Sequence, residues 1–378
     1  MRPLRVTAVL AVLAGLASVA LSAETAHAAG PSVPLASPAH RPALATAHTA
    51  GRVQPDGQRV RYSWPGVYFE GRFRGTGVGV VLDDAANDYD VQIDGATVAT
   101  LVTPGRTTYW VRDLRRGTHD VRLVKRTESP GASGAFGGFV AAPGGTILGR
   151  PAPRHRQIEF IGDSYTAGYG NTSDSRECDS AKLARTSNAD VSFGALTARR
   201  LHADYQLNAF SGRGMVRNYN GIDPEVNFRT YYDRALLNVD GDVWRDPGTW
   251  RPQLVVVGLG INDFSTGINP GEPWTPETLV AAYRDAYHGF LDKLRARYGP
   301  RTTIVVSATY VYGTTAFADS ARQVVQERND RGDDRIRYWY YEESGLDYMG
   351  CDWHPSQHDH QVIADRLGAY IATLPLRW

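Results

Sequence analysis

The 378-residue sequence has no excess of charge of either sign, because 41 lysines and arginines are offset by 40 aspartates and glutamates. A protein that binds nucleic acid by neutralising phosphates needs a basic excess, so the charge balance argues against that class. The composition also differs from that of a disordered chain, because 42% of the residues are hydrophobic and 10% are aromatic. The length predicts two globular domains.

Long hydrophobic runs are absent, apart from one near the start of the chain. This run, residues 6–21, is short for a bilayer and rich in alanine. Two arginines precede it, and the Ala-His-Ala of residues 26–28 follows as a small-x-small cleavage pattern. These features are typical of a secretory signal peptide, which we assign to residues 1–28. We therefore expect a secreted, extracellular protein that does not bind a membrane.

The sequence is poor in cysteine, with only Cys178 and Cys351. In an oxidising compartment the two can pair, and the predicted secretion favours a bridge over two isolated buried thiols. In the chain-entropy model, a bridge over that span would stabilise the fold by about 4 to 5 kcal/mol.

The segments after the signal peptide differ in pattern. Residues 29–48 are rich in proline and alanine and contain no tyrosine or tryptophan, so we predict a flexible linker. Residues 49–150 show short alternating or β-branched stretches between turn signals, with no helical period. This pattern predicts an all-β sandwich or jelly-roll domain. Its predicted strands are residues 60–64, 67–73, 77–82, 89–93, 107–111 and 119–125.

Residues 151–378 alternate between apolar runs and helical segments. The apolar runs are typical of strands buried on both faces. They cover residues 157–161, 204–209, 253–259, 302–308 and 335–341. Of the helices, one begins at Thr275 with a proline in its first turn, and the last is predicted from Ser356 to about Leu374. We predict an α/β domain whose five-stranded parallel sheet is flanked by helices, with its site at the carboxyl ends of the strands.

A serine follows the first of these predicted strands, in the Gly-Asp-Ser of residues 162–164. A hydroxyl at this point faces the ligand crevice. It can act as a nucleophile if a base accepts its proton and hydrogen-bond donors stabilise the oxyanion. Gly-Asp-Ser alone is a common turn. A phosphate-binding loop is the rival interpretation, but the sequence contains no Gly-Lys-Ser or Gly-Lys-Thr.

Three further residues at strand ends or loops can complete such a site. Gly212 lets a backbone N–H face the crevice, although it is also explained as a plain loop glycine. Asn262 can donate its side-chain amide to an oxyanion, or close the strand as an Asx-turn. His354, just before the last helix, has a near-neutral reference pKa and can serve as general base and acid.

Together, Gly162-Asp163-Ser164, Gly212, Gly260-x-Asn262-Asp263 and His354 resemble the four sequence blocks of the SGNH (GDSL) hydrolase superfamily over residues 154–378. The preceding β-domain, together with the stretches 121–128, 170–171 and 210–219, is similar to carbohydrate esterase family 2. That family combines an N-terminal jelly roll with a C-terminal SGNH domain and removes acetyl groups from plant polysaccharides such as xylan and mannan. The resemblance extends over the whole mature chain.

The resemblance implies a serine esterase mechanism with named residues. Ser164 is then the nucleophile and His354 the base, while the N–H groups of Ser164 and Gly212 and the amide of Asn262 form the oxyanion hole. No metal and no organic cofactor is needed. The expected partner is an acetylated polysaccharide or oligosaccharide, and we expect a monomer.

One residue departs from the superfamily pattern, which usually reads Asp-x-x-His in its last block. Here Cys351 stands at the position of that aspartate, and the neighbouring carboxylate is Asp352. Asp352 either orients His354 as the third member of a triad or contacts the substrate, in which case a backbone carbonyl orients His354. Family 2 enzymes are known for such Ser-His dyads, so both arrangements remain open. The short spacing gives a slight preference for the orienting role.

Two other residues are predicted to contact the substrate. Trp353 lies on the loop of the predicted base, where a sugar ring can stack on it, with core packing as the alternative. Asp263 follows the predicted oxyanion donor. By contrast, the closely spaced His354, His358 and His360 are interpreted as solvated residues at a helix start. They do not predict a metal site, because positions two apart lie on different helix faces.

The sequence therefore predicts a secreted carbohydrate O-acetyl esterase. Two alternatives stay open. One is an SGNH esterase or lipase that acts on other acyl esters. The other is a non-catalytic glycan-binding protein built on a hydrolase fold.

Overall fold

Three β-sheets organise residues 43–378, the part of the chain that the computed structural model describes. The predicted signal peptide and residues 29–42 of the predicted linker lie outside this part. The last six residues of that linker are folded, so the prediction of a flexible segment is wrong for them. They begin a short helix and a strand because Ala43 and Ala47 bury their methyl groups in the core.

The β-domain contains eleven described strands. They are β1 His48–Ala50, β2 Gln54–Asp56, β3 Arg59–Tyr62, β4 Tyr68–Gly75, β5 Val78–Asp84, β6 Tyr89–Ile93, β7 Ala96–Leu101, β8 Gly105–Val111, β9 Gly117–Lys125, β10 Gly134–Ala141 and β11 Thr146–Ile147. One antiparallel sheet has the order β1-β4-β9-β6-β7, with β11 beside β4, and the other has the order β2-β3-β10-β5-β8. Phe69 and Phe136 join the two sheets through stacked rings 4.1 Å apart. The predicted β-sandwich is confirmed.

The third sheet is parallel throughout. Its strands are β12 Arg156–Gly162, β13 Ala203–Ala209, β14 Leu254–Gly258, β15 Thr303–Thr309 and β16 Ile336–Tyr341. They pair in the order β13-β12-β14-β15-β16, which confirms the predicted five-stranded sheet. Gly162 lies level with Ala209 on one side and Gly258 on the other. The loops after these three strands therefore emerge side by side at one edge.

Helices cover both faces of this parallel sheet. Over the described residues the helices are α1 Ala43–Thr46, α2 Ser164–Ala167, α3 Ser180–Thr186, α4 Phe193–Arg200, α5 Phe228–Tyr231, α6 Ile261–Phe264, α7 Pro276–Tyr298, α8 Ala316–Asp330 and α9 Gln357–Ile371. The Thr275 hydroxyl caps α7 by accepting the Thr278 N–H at 3.2 Å, as its sequence predicts. Helix α9 ends three residues earlier than predicted. Among residues 43–378, no helix combines the length and apolar character that crossing a bilayer requires.

The β-domain and the α/β domain share one core. Trp64 of the β-domain packs against Phe228 with ring centroids 6.3 Å apart. Arg52 reaches across to β12, where its guanidinium donates to the Glu159 carboxylate at 3.0 Å with both side chains fully buried. Removing only one member of such a pair destabilises the fold, because the remaining charge would stay buried without compensation. The two domains therefore stabilise each other.

Candidate active site

Ser164 lies at the carboxyl end of β12, at the first position of α2. Asp163 forms the N-cap of this helix, with its carboxylate accepting the Tyr165 N–H at 3.1 Å. Gly162 lets the Thr166 side chain lie close to the backbone of the turn, because a Cβ at residue 162 would lie 2.1 Å from Thr166 Oγ1. The turn therefore fixes the Ser164 hydroxyl at the sheet edge, as the sequence predicts.

His354 lies beside this serine. The Ser164 hydroxyl donates to His354 Nε2 at 2.8 Å, although the two residues are 190 positions apart. The hydrogen bond brings together the predicted nucleophile and base. Burial lowers the pKa of His354. Hydrogen bonds to backbone carbonyls and the Asp352 charge raise it and partly offset this effect. The imidazole is thus held largely neutral near pH 7, the form that can accept a proton.

The other ring nitrogen of His354 faces the backbone. Nδ1–H donates to the carbonyl oxygens of Cys351 at 2.9 Å and Asp352 at 3.2 Å. A carbonyl oxygen only accepts, so Nδ1 carries the proton and Nε2 is the free acceptor toward Ser164. The backbone of a short 3-10 turn, Cys351–Trp353, therefore sets the tautomer.

The Asp352 carboxylate points elsewhere, which corrects the preference for an orienting Asp352 side chain. Its Oδ2 accepts the Tyr169 hydroxyl proton at 2.9 Å. The Tyr169 ring in turn lies 4.3 Å from the His354 ring. The physical reason is the backbone: Asp352 has a left-handed φ of 52°, which turns its side chain away from the imidazole. The geometry is that of a Ser-His dyad.

The backbone N–H groups of Ser164 and Gly212 are the predicted main-chain oxyanion donors. Within the described part of the chain, neither the Ser164 nor the Gly212 N–H has a hydrogen-bond partner. Ser164 is the first residue of a helix, whose initial N–H groups have no intrahelical acceptor. Gly212 has φ 76°, and a Cβ added there would meet no atom within 4 Å, so this side of the loop is open. Both predicted donors are available.

Asn262 lies on α6, after the end of β14, and contacts both the turn of Ser164 and the loop of Gly212. Its Nδ2 donates to the Arg213 carbonyl at 3.1 Å and makes a longer 3.4 Å contact with Asp163 Oδ2. Burial raises the pKa of Asp163 to about 7. The amide is therefore oriented between the nucleophile turn and the loop of Gly212.

Asp263 is not placed to bind substrate, so that prediction is wrong. The side chain is fully buried, and its carboxylate accepts the N–H groups of Met215, Val216 and Arg217 at 2.8 to 2.9 Å. On the single turn of α6, the Asn262 amide contacts Asp163 and the Arg213 carbonyl, while the Asp263 carboxylate is used up by the backbone of residues 215–217. Asp263 therefore fixes the loop that carries Gly212.

The predicted disulfide is present and joins the segment after α2 to the turn that precedes His354. Cys178 and Cys351 are bonded with their Cα atoms 5.5 Å apart. Beside the bridge, Trp353 is 63% exposed, which excludes core packing. Arg176 lies against its ring, with the guanidinium carbon 5.7 Å from the ring centroid. The tryptophan therefore offers an aromatic face to solvent next to the dyad.

A residue that the sequence reasoning assigned no role also reaches the site. Glu128, in the segment after β9, accepts the Ser211 N–H at 2.6 Å and the Ser211 hydroxyl proton. Ser211 directly precedes Gly212. The only signal for this contact was that residues 121–128 resemble a family segment, and spacing alone could not connect them to the site.

The histidines of α9 do not join His354 in one ligand set. His360 is fully buried, and its Nδ1 accepts the Phe193 N–H at 3.1 Å. Burial lowers the pKa of His360 to about 3. The interpretation of His360 as solvated is therefore wrong, because its side of the helix faces α4. His358, by contrast, is exposed.

Comparison with known proteins agrees with this architecture. Residues 49–151 match the family model "Carbohydrate esterase 2 N-terminal", and residues 160–368 match the "GDSL-like Lipase/Acylhydrolase family". An acetylxylan esterase / glucomannan deacetylase from Cellvibrio japonicus is 41% identical over 86% of this chain and 90% of its own length.

Solved structures show the same similarity. One is a carbohydrate esterase whose active site is described as having divergent catalytic and non-catalytic binding functions. It superposes with a TM-score of 0.80 at 38% identity, covering 87% of this chain and 98% of its own. Another is a family two carbohydrate esterase from Clostridium thermocellum in complex with cellohexaose. Its TM-score is 0.75 at 31% identity, over 86% of this chain and 98% of its own. The chain therefore belongs to carbohydrate esterase family 2 of the GDSL-like hydrolases and is a carboxylic ester hydrolase.

Proposed function

We propose that the protein is a secreted O-acetyl esterase that deacetylates plant polysaccharides of the xylan and mannan type. The observation that carries the proposal is the 2.8 Å hydrogen bond from the Ser164 hydroxyl to His354 Nε2. The similarity to an acetylxylan esterase / glucomannan deacetylase supports the substrate class. Secretion is supported by the signal-peptide pattern of residues 1–28 and by a disulfide, which persists in oxidising compartments.

In the first half of the reaction, Ser164 Oγ attacks the acetyl carbonyl carbon while its proton passes to His354 Nε2. The developing oxyanion accepts hydrogen bonds from the N–H groups of Ser164 and Gly212. Asn262 becomes the third donor when it exchanges its long contact with Asp163 for the oxyanion. The tetrahedral intermediate collapses, the bond to the sugar oxygen breaks, and His354 donates its proton to that oxygen.

In the second half, water attacks the acetyl-serine. His354 Nε2 accepts a proton from the water as the new C–O bond forms. Collapse of the second intermediate returns the serine oxygen, which regains the proton from His354, and releases acetate. Throughout, Nδ1–H stays bonded to the carbonyls of Cys351 and Asp352, which stabilise the imidazolium in place of a carboxylate.

The surroundings of the dyad favour a carbohydrate over a lipid. The exposed ring of Trp353 suits stacking on a sugar, and Asp352 and Arg176 place polar groups around it. A lipase would need a large apolar entrance for its acyl chain. The non-catalytic alternative is disfavoured by the available proton acceptor on His354 and the unpartnered N–H groups beside Ser164.

The test is a substrate panel for the secreted wild-type protein and its Ser164→Ala variant. We expect release of acetate from acetylated xylan or glucomannan, and faster hydrolysis of 4-nitrophenyl acetate than of longer acyl esters. Ser164→Ala should lose several orders of magnitude in turnover with an unchanged circular dichroism spectrum. A preference for long acyl chains would contradict the proposed acetylated substrate and favour an esterase or lipase for other acyl esters. Near-normal acetate release by the variant would contradict the assignment of the nucleophile.

A further inference from the structure

The β-domain contributes one carboxylate to the loop that lies beside the nucleophile. Glu128 follows β9 in sequence, yet its two oxygens bind the N–H and the hydroxyl of Ser211, in the loop after β13. This pair of hydrogen bonds fixes both the position and the side-chain rotamer of Ser211. The next residue along the chain is Gly212, whose N–H is a proposed oxyanion donor.

The peptide unit between Ser211 and Gly212 is held from both ends. On one side, Glu128 anchors Ser211. On the other, the Gly212 carbonyl accepts the Tyr219 N–H at 2.9 Å. Between these anchors the Gly212 φ of 76° is a conformation that glycine adopts without strain, but glycine by itself has little preference for it. The direction of the Gly212 N–H therefore depends on the two anchors.

Glu128 is suited to this role by its surroundings. Burial raises its pKa, whereas the two Ser211 hydrogen bonds and the cations Lys125 and Arg213 lower it. Charge-assisted hydrogen bonds of a carboxylate are shorter and stronger than neutral ones. The 2.6 Å separation of Glu128 Oε1 from the Ser211 nitrogen fits such a bond.

We propose that Glu128 is a positioning residue through which the β-domain orients the Gly212 N–H toward the oxyanion. The inference rests on the proposed function in one respect, since it takes Gly212 as an oxyanion donor. It gives the β-domain a part in the reaction that does not depend on any glycan binding by that domain. Among the described residues, Glu128 makes its side-chain hydrogen bonds to Ser211 and makes none to Ser164 or His354.

A positioning role predicts a specific kinetic pattern. Complete loss of one oxyanion donor typically lowers kcat by about 10²- to 10³-fold, so a misdirected donor should cost about 10- to 100-fold. Glu128→Ala should show this loss in kcat with KM nearly unchanged, because an oxyanion donor acts in the transition state and contributes little to ground-state binding. Glu128→Gln should keep kcat within about threefold of wild type. Its amide oxygen still accepts the Ser211 N–H, and its NH₂ group can donate to the Ser211 hydroxyl oxygen.

The matched control is Glu70→Ala. Glu70 is also a β-domain carboxylate that reaches the other domain, where Arg154 donates to both of its oxygens at 2.8 Å. It lies in a separate interdomain contact, outside the proposed site. This variant should lower the thermal unfolding temperature without changing kcat. A loss of stability alone is thereby separated from a loss of catalytic alignment.

Two readouts on the full secreted chain test the proposal. The first is kcat and KM for 4-nitrophenyl acetate. The second is the rate at which a fluorophosphonate modifies Ser164, followed by intact mass. Here the serine oxygen displaces fluoride from phosphorus, its proton goes to His354, and the phosphoryl oxygen occupies the oxyanion hole. We expect Glu128→Ala to be slower in both readouts, and Glu70→Ala to match wild type.

Several results would overturn the proposal. Wild-type rates in Glu128→Ala, a rise in KM at constant kcat, or an equal loss in Glu70→Ala would each do so. If the wild type is modified at Ser164 but releases no acetate from glycans, the proposed substrate fails, while the modification rates still decide the role of Glu128. If Ser164 is not modified at all, the mechanism and the positioning role fail together.

Discussion

Changing Asp352 to asparagine removes a charge beside His354, the proposed general base, while keeping the shape of the side chain. The His354 Nδ1–H bonds to the backbone carbonyls of Cys351 and Asp352 do not involve that side chain. Tyr169 can still donate its hydroxyl proton to the new amide oxygen, as it does to the carboxylate. The tautomer of His354 should therefore be unchanged in Asp352→Asn.

The expected magnitude follows from this geometry. In a serine protease triad, the corresponding Asp-to-Asn change costs about 10⁴-fold, or about 5 kcal/mol of transition-state stabilisation. Here only the through-space effect of the Asp352 charge on the imidazolium is lost. We therefore expect kcat for 4-nitrophenyl acetate to fall by less than about tenfold, or about 1.4 kcal/mol.

The pH dependence of kcat/KM provides a second, independent test of the role of Asp352. Burial lowers the pKa of His354 below its usual value of 6.5, and the Asp352 charge is among the effects that raise it. Activity requires neutral imidazole, so kcat/KM is lost as pH falls through this pKa. Removing the charge lowers the pKa further, and the acid limb of Asp352→Asn should move to lower pH.

The assay is kcat/KM for the small ester from about pH 4 to pH 8, with wild type and Asp352→Asn in parallel and His354→Ala as the inactive reference. A loss of about 10³-fold or more with an unchanged fold would mean that the carboxylate acts as a triad member. An acid limb that moves to higher pH would also refute the reasoning.

Three further predictions follow from contacts described above. Arg52→Met should lower the free energy of unfolding by about 3 to 5 kcal/mol in chemical denaturation, with partial recovery on adding Glu159→Gln; no loss would contradict the buried pair. Asn262→Ala should lower kcat by about 10²- to 10³-fold in steady-state kinetics, and an unchanged kcat would remove it from the oxyanion hole. Replacing Cys178 and Cys351 by serine should lower the free energy of unfolding by up to about 5 kcal/mol, because the bridge spans 173 residues; equal denaturation midpoints would contradict this.

The parallel sheet could be predicted from sequence because its strands are continuous apolar runs. The run at 157–161 became β12, Arg156–Gly162, and the other four also agree within two residues. Strand β10, Gly134–Ala141, was missed, although it is central in its sheet. Its three glycines weaken the strand pattern, and a bulge between Phe136 and Gly138 interrupts the alternation. Strand β7 was missed because most of its residues are exposed.

In the candidate site, the proximity of Ser164 and His354 could be predicted, whereas the contacts that orient them could not. Ser164 and His354 follow recognisable blocks, and chain order alone places them at one edge of the sheet. The direction of the Asp352 side chain depends on consecutive left-handed φ values of 52° and 58° at Asp352 and Trp353. Aspartate adopts this conformation only occasionally and tryptophan rarely, so the sequence does not predict it at two consecutive residues. Similarly, Asn262 and Asp263 are neighbours in sequence, but only Asp263 binds the N–H groups of residues 215–217, which sequence spacing cannot show.

The buried Arg52–Glu159 pair also bears on how such a protein can evolve. Two separate family models divide the chain between residues 151 and 160, which would suggest interchangeable modules. However, residues 43–378 belong to one compact unit, and the charge of Glu159 on β12 is compensated from the other module. A recombination event at the boundary would bring together halves that had not adapted to each other, leaving one buried charge unmatched. The two halves are therefore expected to be inherited together, and a chimaera that lacks one partner of this pair should be less stable than either parent.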